Sequence, residues 1–230
     1  MSIASEQDAR EWLAARHADA MARLDVLVGA LREENERQNL VSRPSLDAVW
    51  QRHILDSAQL LHVSRETVSP GPWLDLGSGA GFPGLVIAAL EPERPVTLVD
   101  SRRLRTEWLA RAATLMGLGN VEVVLARAED LGERQWHVIS ARAFAPLDRL
   151  LEIAAGFSTP ETLWLLPKGA KAQHELDTLG AEWNRTFHVE QSLTDPSAGI
   201  IVGYLQGRLP RQAETRRTGK TALRKRGSGR

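Results

Sequence analysis

The chain has 230 residues, 43% of them hydrophobic and 25% charged, which is an ordinary composition for a globular protein with a sizeable core. It contains no cysteine, which excludes disulfides, thiolate chemistry and the cysteine nucleophile of methyltransferases that attack carbon 5 of pyrimidines. The net charge is zero, no apolar run reaches membrane-spanning length and the N-terminus lacks a signal-peptide pattern, so we expect a cytoplasmic protein with no membrane partner.

The first 62 residues predict helices. Ser5 and Asp8 resemble a capping box, and apolar residues then recur at helical spacing. Pro44 is expected to end a loop, and Ser45 to cap a second helix. We expect residues 1–65 to form a helical extension packed on a core domain, with residues 64–72 as the connecting segment.

The stretch W-L-D-L-G-S-G-A-G-F-P-G that begins at Trp73 predicts a buried strand, a glycine turn and a helix. Glycines let the chain turn tightly and allow a ligand to lie against bare backbone. The turn is therefore expected to bind a nucleotide-like cofactor, although a purely structural strand-to-helix turn is also open.

The kind of cofactor depends on the residues around the glycines. Gly79, Gly81 and Gly84 satisfy G-x-G-x-x-G, so an NAD-dependent oxidoreductase is one interpretation. Asp75, two residues before Gly77, disfavours a pyrophosphate and suits a cationic cofactor such as S-adenosylmethionine. The pattern Asp-x-Gly-x-Gly-x-Gly is the motif I signature of class I methyltransferases.

The second strand, 96–99, runs into Asp100. An acid at this point accepts hydrogen bonds from ribose hydroxyls or caps the next helix; with the glycine turn upstream, we favour ribose. The following helix, 102–116, is expected to bury one stripe of apolar residues: Leu104, Trp108, Leu109, Ala112 and Leu115.

Three further strands end in candidate site residues. V-E-V-V-L leads to Arg127, Ala128 and Glu129, where class I methyltransferases contact adenine. The fourth strand, W-H-V-I-S, leads to Arg142 and Phe144 at the position that faces the transferable methyl group. Methyltransferases of exocyclic amines carry Asp/Asn-Pro-Pro-Tyr/Phe there, and this chain does not.

One cation, Arg142, and one aromatic ring, Phe144, occupy that position instead. A guanidinium holds a phosphate or stacks on a base, and Phe144 either stacks on a base or packs in the core. The fifth strand, 162–166, is followed by Lys168 at the same edge, where substrate contact and simple solvation are both open.

A helix at 170–181 and strands at 183–190 and 200–205 complete the pattern. The predicted fold is α/β, a class I (Rossmann-like) methyltransferase with a seven-stranded, mainly parallel sheet over residues 66–207. The six histidines show no ligand spacing, so no metal is expected.

Charge is distributed unevenly along the chain. Residues 208–230 carry 9 of the 29 basic residues and 1 of the 29 acidic ones, so the preceding body is acidic. The tail is expected to be disordered alone, as a solubilising segment or as an arm that contacts RNA phosphates. The candidate RNA contacts within it are Arg216, Arg217, Arg224, Lys225 and Arg226.

Several motifs together resemble one family over roughly residues 35–205. They are N-L-V-S, R-H-I-L-D-S, G-S-G-A-G-F-P-G, D-S, A-R-A-E-D, S-A-R-A-F-A and P-K-G, in that order. The chain resembles the RsmG family, also called glucose-inhibited division protein B (GidB). The resemblance implies a bacterial methyltransferase that acts on N7 of a guanine in the helix 18 loop of 16S rRNA (position 527 in the usual rRNA numbering).

The resemblance also implies roles for individual residues. Asp100 matches the acid of strand two, and Arg127 and Lys168 match basic positions around the pocket. The positions that look like the family's cofactor contacts are Gly77, Phe82, Ala128, Glu129 and Arg142. The positions that match an N-terminal family motif, interpreted as structural or substrate-facing, are Asn39, His53 and Asp56.

One departure from the family concerns a lysine that often follows the D-S motif. This chain has Arg102, Arg103, Leu104 and Arg105 there, so a neighbouring arginine replaces the cation or the role is absent.

The expected chemistry is methyl transfer from S-adenosylmethionine, which leaves S-adenosylhomocysteine. Guanine N7 has a lone pair and no proton, so no general base is required, and Arg142 and Lys168 are expected to position the reactants electrostatically. The expected partner is 16S rRNA or the small ribosomal subunit, with no obligate protein partner. A non-catalytic RNA-binding assembly factor is the remaining alternative.

Deleting residues 208–230 is expected to weaken RNA binding and to flatten its dependence on salt, because each lost phosphate contact removes one increment of counterion release. Affinity for 16S rRNA measured over a range of salt concentrations, with and without the tail, checks this. An unchanged salt slope would show that the tail makes no phosphate contacts.

Overall fold

The computed structural model describes residues 3–64, 71–132, 134–180 and 183–208. The α-helices are α1 Glu6–Ala14, α2 Met21–Gln38, α3 Arg43–Asp47, α4 Asp56–Ser64, α5 Gly84–Leu90, α6 Arg103–Leu115, α7 Leu147–Ala154 and α8 Ala172–Asp177. The strands are β1 Trp73–Leu76, β2 Val96–Asp100, β3 Val121–Leu125, β4 Val138–Ala141, β5 Leu163–Gly169, β6 Trp183–Arg185, β7 His188–Gln191 and β8 Gly199–Arg208. A π-helical turn, Trp50–Leu55, leads directly into α4.

The strands of the described residues form one sheet in the order β3-β2-β1-β4-β5-β8, with β6 and β7 both paired to β8. Strands β1 to β5 pair in parallel, whereas β8 runs antiparallel to β5 and to β6 and β7. The predicted strand 183–190 is divided into β6 and β7, so seven positions of the sheet are filled by eight segments. The predicted class I α/β fold is confirmed.

The order of the strands predicts where a ligand site lies. Chain order reverses between β1 and β4, and the loops after these two strands leave the same edge of the sheet. In open α/β sheets, ligands bind outside the carboxyl ends of the strands at such a reversal.

Alternate residues of the strands face two hydrophobic cores. Trp73 of β1 and Leu98 of β2 pack with α1, α2, α4, α5 and α6, whereas Leu74 and Leu76 pack on the other face with α7 and α8. The N-terminal helices therefore share the first core with α5 and α6. Among the described helices, none combines the length and apolar character needed to cross a bilayer.

The start of the helical segment near Pro44 differs from the prediction. Ser42, not Ser45, is the N-cap of α3, and its Oγ accepts a hydrogen bond from the Ser45 amide at 3.4 Å. Pro44 lies in the first turn of α3, where its missing N–H costs nothing. The prediction placed the cap three residues too late because it took proline as the end of the loop.

Helix α6 begins and ends within one residue of the prediction, but two of its predicted inward residues are wrong. Trp108, Leu109 and Ala112 are buried, whereas Leu104 and Leu115 are 64% and 60% exposed. The buried stripe also includes Ala113 and is rotated away from Leu104 and Leu115, which fall beyond its edge.

Other predicted elements differ in length. Strand β5 continues past Leu166 to Gly169, and α8 is shorter than the predicted helix 170–181. Strand β8 runs to Arg208, the first residue of the predicted tail. Residues 209–230, with the five candidate RNA contacts, lie outside the described residues, as does most of the connection 64–72.

Gly84→Ala is expected to reduce the free energy of unfolding by about 2 kcal/mol, because the added Cβ would meet Leu98 Cδ2 and would lie 2.9 Å from Asp75 Oδ2. Gly29→Ala is the matched control: no atom lies within 4 Å of its added Cβ in α2, so a gain of about 0.5 kcal/mol is expected. Urea unfolding of both variants checks the difference, and equal effects would contradict it.

Candidate functional site

The glycine turn after β1 has a backbone that favours glycine. Gly77, Gly79 and Gly81 have φ values of +68°, +55° and +102°, which side chains rarely tolerate. The amides of Gly77 and Ser78 donate to the Val99 carbonyl at 2.9 and 3.0 Å, which fixes the turn against β2. A Cβ on Gly77 would lie 2.5 Å from Phe144 Cδ2, so bare backbone is required there.

A first cavity of about 500 Å³ opens at the carboxyl ends of β1 to β4. Its volume is in the range of small-molecule sites. The predicted site residues that line it are Gly77, Gly79, Phe82, Asp100, Arg127, Ala128, Glu129, Arg142 and Phe144. The first cavity therefore brings together nearly all of the predicted cofactor contacts.

Asp75 is the exception. Its side chain is 0% exposed and does not line the first cavity. Its Oδ1 accepts from Ser140 Oγ at 2.7 Å and its Oδ2 from the Gly84 amide at 3.2 Å. The carboxylate braces the glycine turn from within the core, and the contact with the cofactor expected from the sequence stays a prediction. Burial raises the pKa of Asp75 to about 6.

Asp100 joins two loops at the wall of the first cavity. Its Oδ2 accepts from the Gly79 amide at 3.0 Å, and its Oδ1 accepts from the Arg102 amide, next to the start of α6, at 2.9 Å. Both interpretations that the sequence allowed for Asp100, a ribose contact and a cap for the next helix, therefore have a structural basis. The carboxylate supports the helix start, and it also lines the first cavity, where its remaining lone pairs are available to a ligand.

The Arg142 guanidinium connects the end of β4 to the N-terminal helices. Its Nη1 donates to Asp56 Oδ2 at 3.2 Å and to the Arg52 carbonyl at 3.3 Å, and its Nη2 lies 3.0 Å from His53 Nδ1. Its Cζ lies 5.2 Å from the centroid of the Phe82 ring. These four contacts fix the cation in one orientation beside the glycine turn.

His53 acts as a neutral acceptor for that cation. Burial, with the nearby guanidiniums of Arg142 and Arg52, lowers the pKa of His53 to about 3. Its ring is stacked on Phe82 with centroids 4.8 Å apart. Because Nδ1 accepts from Arg142, the proton of the neutral ring lies on Nε2, which is buried with no hydrogen-bond partner among the described residues.

A second cavity, of about 670 Å³, adjoins the first. Residues that line both cavities form a shared wall of Leu40, Val41, Arg142, Ala143 and Phe144. Ala143 has a left-handed φ of +53°, and such strain in a non-glycine residue is common at functional sites. Phe144 packs against the second core while lining both cavities, so neither of its two interpretations is excluded.

Lys168 lies in the wall of the second cavity, but its side chain is only 8% exposed. Its Nζ donates to the Ala145 carbonyl at 2.6 Å and pairs with Glu175 Oε2 at 2.9 Å. The ammonium is enclosed by these two partners, and the substrate contact expected for Lys168 stays a prediction. A positioning role through the cavity wall stays a prediction.

Arg127 and Glu129 lie at the outer edge of the first cavity. The Arg127 side chain is 72% exposed and lies 3.7 Å from Glu129 Oε1, which is also 3.6 Å from Arg149. Ala128 between them is buried in a short 3₁₀ turn. Arg127 is therefore free to contact a polyanion outside the first cavity.

Residues 39–42 are the N-L-V-S motif, of which the sequence analysis singled out Asn39 but assigned no role to Leu40 or Val41. Asn39 ends α2 with a φ of +46°, and Leu40 and Val41 then reach both cavities. The sequence signals were this motif and an asparagine after a long helical pattern, which favours a left-handed helix end. Where the family often has lysine, Leu104 is exposed to solvent, while Arg102 and Arg105 line the first cavity.

Comparison with known proteins identifies relatives over most of the chain. Residues 20–198 match the family model GidB, described as rRNA small subunit methyltransferase G. A protein of Novosphingobium aromaticivorans named ribosomal RNA small subunit methyltransferase G is 65% identical over 208 residues, 89% of this chain and 90% of that protein. One of the same name from Erythrobacter litoralis is 58% identical over 203 residues, 87% of this chain and 97% of that protein.

Solved structures that resemble the chain share its fold at low identity. A mutant of MtNAS in complex with S-adenosylmethionine has a TM-score of 0.55 at 12% identity, covering 90% of this chain and 85% of that one. A putative O-methyltransferase from Klebsiella pneumoniae has a TM-score of 0.53 at 15% identity, covering 79% and 90%.

The buried Asp75 carboxyl predicts a specific dependence of stability on pH. Its folded pKa of about 6 lies above the ordinary value of 3.8, so the folded state binds the proton more tightly than the unfolded state. Its contribution to stability is full below pH 3.8 and is lost as pH rises through about 6, a change of about 3 kcal/mol.

Urea unfolding of the wild type and Asp75→Asn between pH 4 and pH 8 checks this linkage. The stability of the wild type relative to the variant is expected to fall up to about pH 6 and then level off. Other carboxyls titrate in both proteins and cancel in the difference. A difference that stays constant across the range would show that Asp75 has an ordinary pKa.

Proposed function

The chain belongs to the GidB family of rRNA small subunit methyltransferases G, and we propose that it methylates N7 of a guanine in the helix 18 loop of 16S rRNA. Methylation of small-subunit rRNA follows from the family, and the class I fold is that of S-adenosylmethionine-dependent enzymes. The choice of N7 and of the helix 18 loop is the part proposed.

The first cavity fits S-adenosylmethionine. Gly77, Gly79 and Phe144 line the first cavity, and the methionine part of the cofactor would lie there beside the glycine turn. Asp100 would accept from the ribose hydroxyls, and the Ala128–Glu129 turn would contact the adenine. When bound, the cofactor supplies a methyl group on a sulfonium, which becomes a neutral thioether on transfer.

The observation that carries the proposal is the shared wall between the two cavities. A cofactor in the first cavity and a base in the second would meet at Arg142, Ala143 and Phe144. The wall contains a fixed guanidinium and an aromatic ring, which suit a nucleotide substrate. Arg142 therefore acts at the boundary, where it orients both reactants.

Neither of the titratable side chains that contact Arg142 at that wall, His53 and Asp56, is a free general base. His53 has a pKa of about 3, and its Nδ1 is occupied by Arg142. Asp56 Oδ2 pairs with Arg142, and Asp75 is enclosed. Transfer to an exocyclic amine releases a proton that a base must accept, whereas the lone pair of guanine N7 forms the new bond without losing one. This difference favours N7.

The family excludes the NAD-dependent oxidoreductase suggested by the G-x-G-x-x-G spacing. A non-catalytic assembly factor would bind 16S rRNA without modifying it, and the experiments below separate it from an enzyme. Exposed arginines beside the cavities, Arg127 and Arg52, would attract the RNA phosphates.

Mapping N7-methylguanosine in 16S rRNA from cells with and without the gene tests the proposal directly. One methylated guanine in the helix 18 loop is expected to disappear with the gene and to return when the gene is restored. An unchanged methylation pattern in the deleted strain would contradict the proposal.

Arg142→Ala is expected to lower kcat/KM for methyl transfer by about 100-fold or more, because the cation that fixes the boundary between the reactants is lost. Arg16→Ala is the matched control, since Arg16 lies over Trp12 and lines neither cavity. Methyl transfer to 16S rRNA is measured with thermal unfolding of each variant. Normal turnover by a folded Arg142→Ala protein would refute the role of Arg142.

A further inference from the structure

The second cavity contains three carboxylates whose hydrogen bonds differ. Asp56 is fully engaged: its Oδ1 accepts from Gln59 Nε2 and Thr194 Oγ1, both at 2.9 Å, and its Oδ2 accepts from Arg142. Asp195 is engaged on both oxygens as well, by Ser197 and by Arg52.

Glu175 is different. Its Oε2 accepts from Lys168 Nζ at 2.9 Å and from the Leu147 amide at 2.8 Å, while its Oε1 has no hydrogen-bond partner among the described residues. The carboxylate is thus fixed by two donors on one oxygen and open on the other. It lines the second cavity but not the first.

This arrangement matches one edge of guanine. The base carries two adjacent donors, N1–H and the N2 amino group, on its Watson–Crick edge, and an open carboxylate oxygen accepts from such donors. N7 lies on a different edge of the ring. A guanine that turns N7 towards the shared wall can therefore present its donors to a part of the second cavity that the cofactor does not reach.

Fixing the carboxylate in advance matters for selectivity. The ion pair with Lys168 and the bond from Leu147 hold Glu175 before the base arrives, so little side-chain freedom is lost on binding. The second cavity, at about 670 Å³, is large enough for a nucleobase turned out of an RNA loop.

We infer that Glu175 is the residue that recognises the Watson–Crick edge of the target guanine, through Oε1, in the second cavity. The inference rests on the proposed function, since it concerns the same substrate. It assigns base selectivity to α8 and β5, whereas cofactor binding lies on the loops after β1 to β4.

The test uses the full-length protein and 16S rRNA that carries either guanosine or inosine at the target position. Inosine retains N7 and N1–H but lacks the 2-amino group. The wild type is expected to prefer guanosine by about 10-fold in kcat/KM, since one charge-assisted hydrogen bond is lost with inosine. In Glu175→Gln, that preference is expected to fall to within about 2-fold.

A matched control lies on the same helix. Asp177→Asn makes the same change of charge in α8, at an exposed residue outside the second cavity, and is expected to keep the preference of the wild type. Thermal unfolding and binding of S-adenosylhomocysteine establish that each variant is folded. The readout is the kcat/KM for the guanosine substrate divided by the kcat/KM for the inosine substrate. A general loss of stability lowers both values together and leaves this ratio unchanged.

Two results would overturn the inference. Equal methylation of guanosine and inosine by the wild type shows that the 2-amino group is not recognised, whatever the state of the variant. A preference retained by Glu175→Gln shows that another residue recognises it. If the wild type does not methylate N7 of the guanosine substrate at all, the proposed function fails first, which separates that failure from the failure of this inference.

Discussion

The ion pair between Arg142 and Asp56 is the interaction on which the site depends. It links the loop after β4 to the N-terminal helices, and His53 and the Phe82 ring hold the same guanidinium from two other directions. The pair is partly buried, so losing either partner would leave a poorly solvated charge. Both cavities obtain their shared wall from this link.

The N-terminal helices are therefore part of the site as well as of the core. Asp56 also accepts from Thr194, and Gln59 accepts from the Leu193 amide at 2.7 Å, so the segment before β8 is held by the same helix. Segments distant in sequence converge on one helix turn. This convergence explains how the two cavities lie side by side although different loops form them.

Much of the fold and of the first cavity could be predicted from the sequence, because glycine spacing and strand-end acids are local signals. The burial of Asp75 was also readable: alternation along β1 places it on the same face as Trp73, which packs in the first core. The positions of Lys168 and Leu40 in the cavity walls could not be predicted from the sequence. They depend on partners such as Glu175 and on a left-handed turn at Asn39, which follow from tertiary packing.

The π-helical turn Trp50–Leu55 bears on which insertions and deletions the N-terminal helices of this family tolerate. Such a turn carries one residue more than an α-helix between the same ends. The extra residue sets the rotation of His53 relative to the apolar side of α4. Losing a single residue here would restore regular winding and turn the imidazole away from Phe82. A relative with an insertion or deletion at this turn could thus keep the fold and lose the activity.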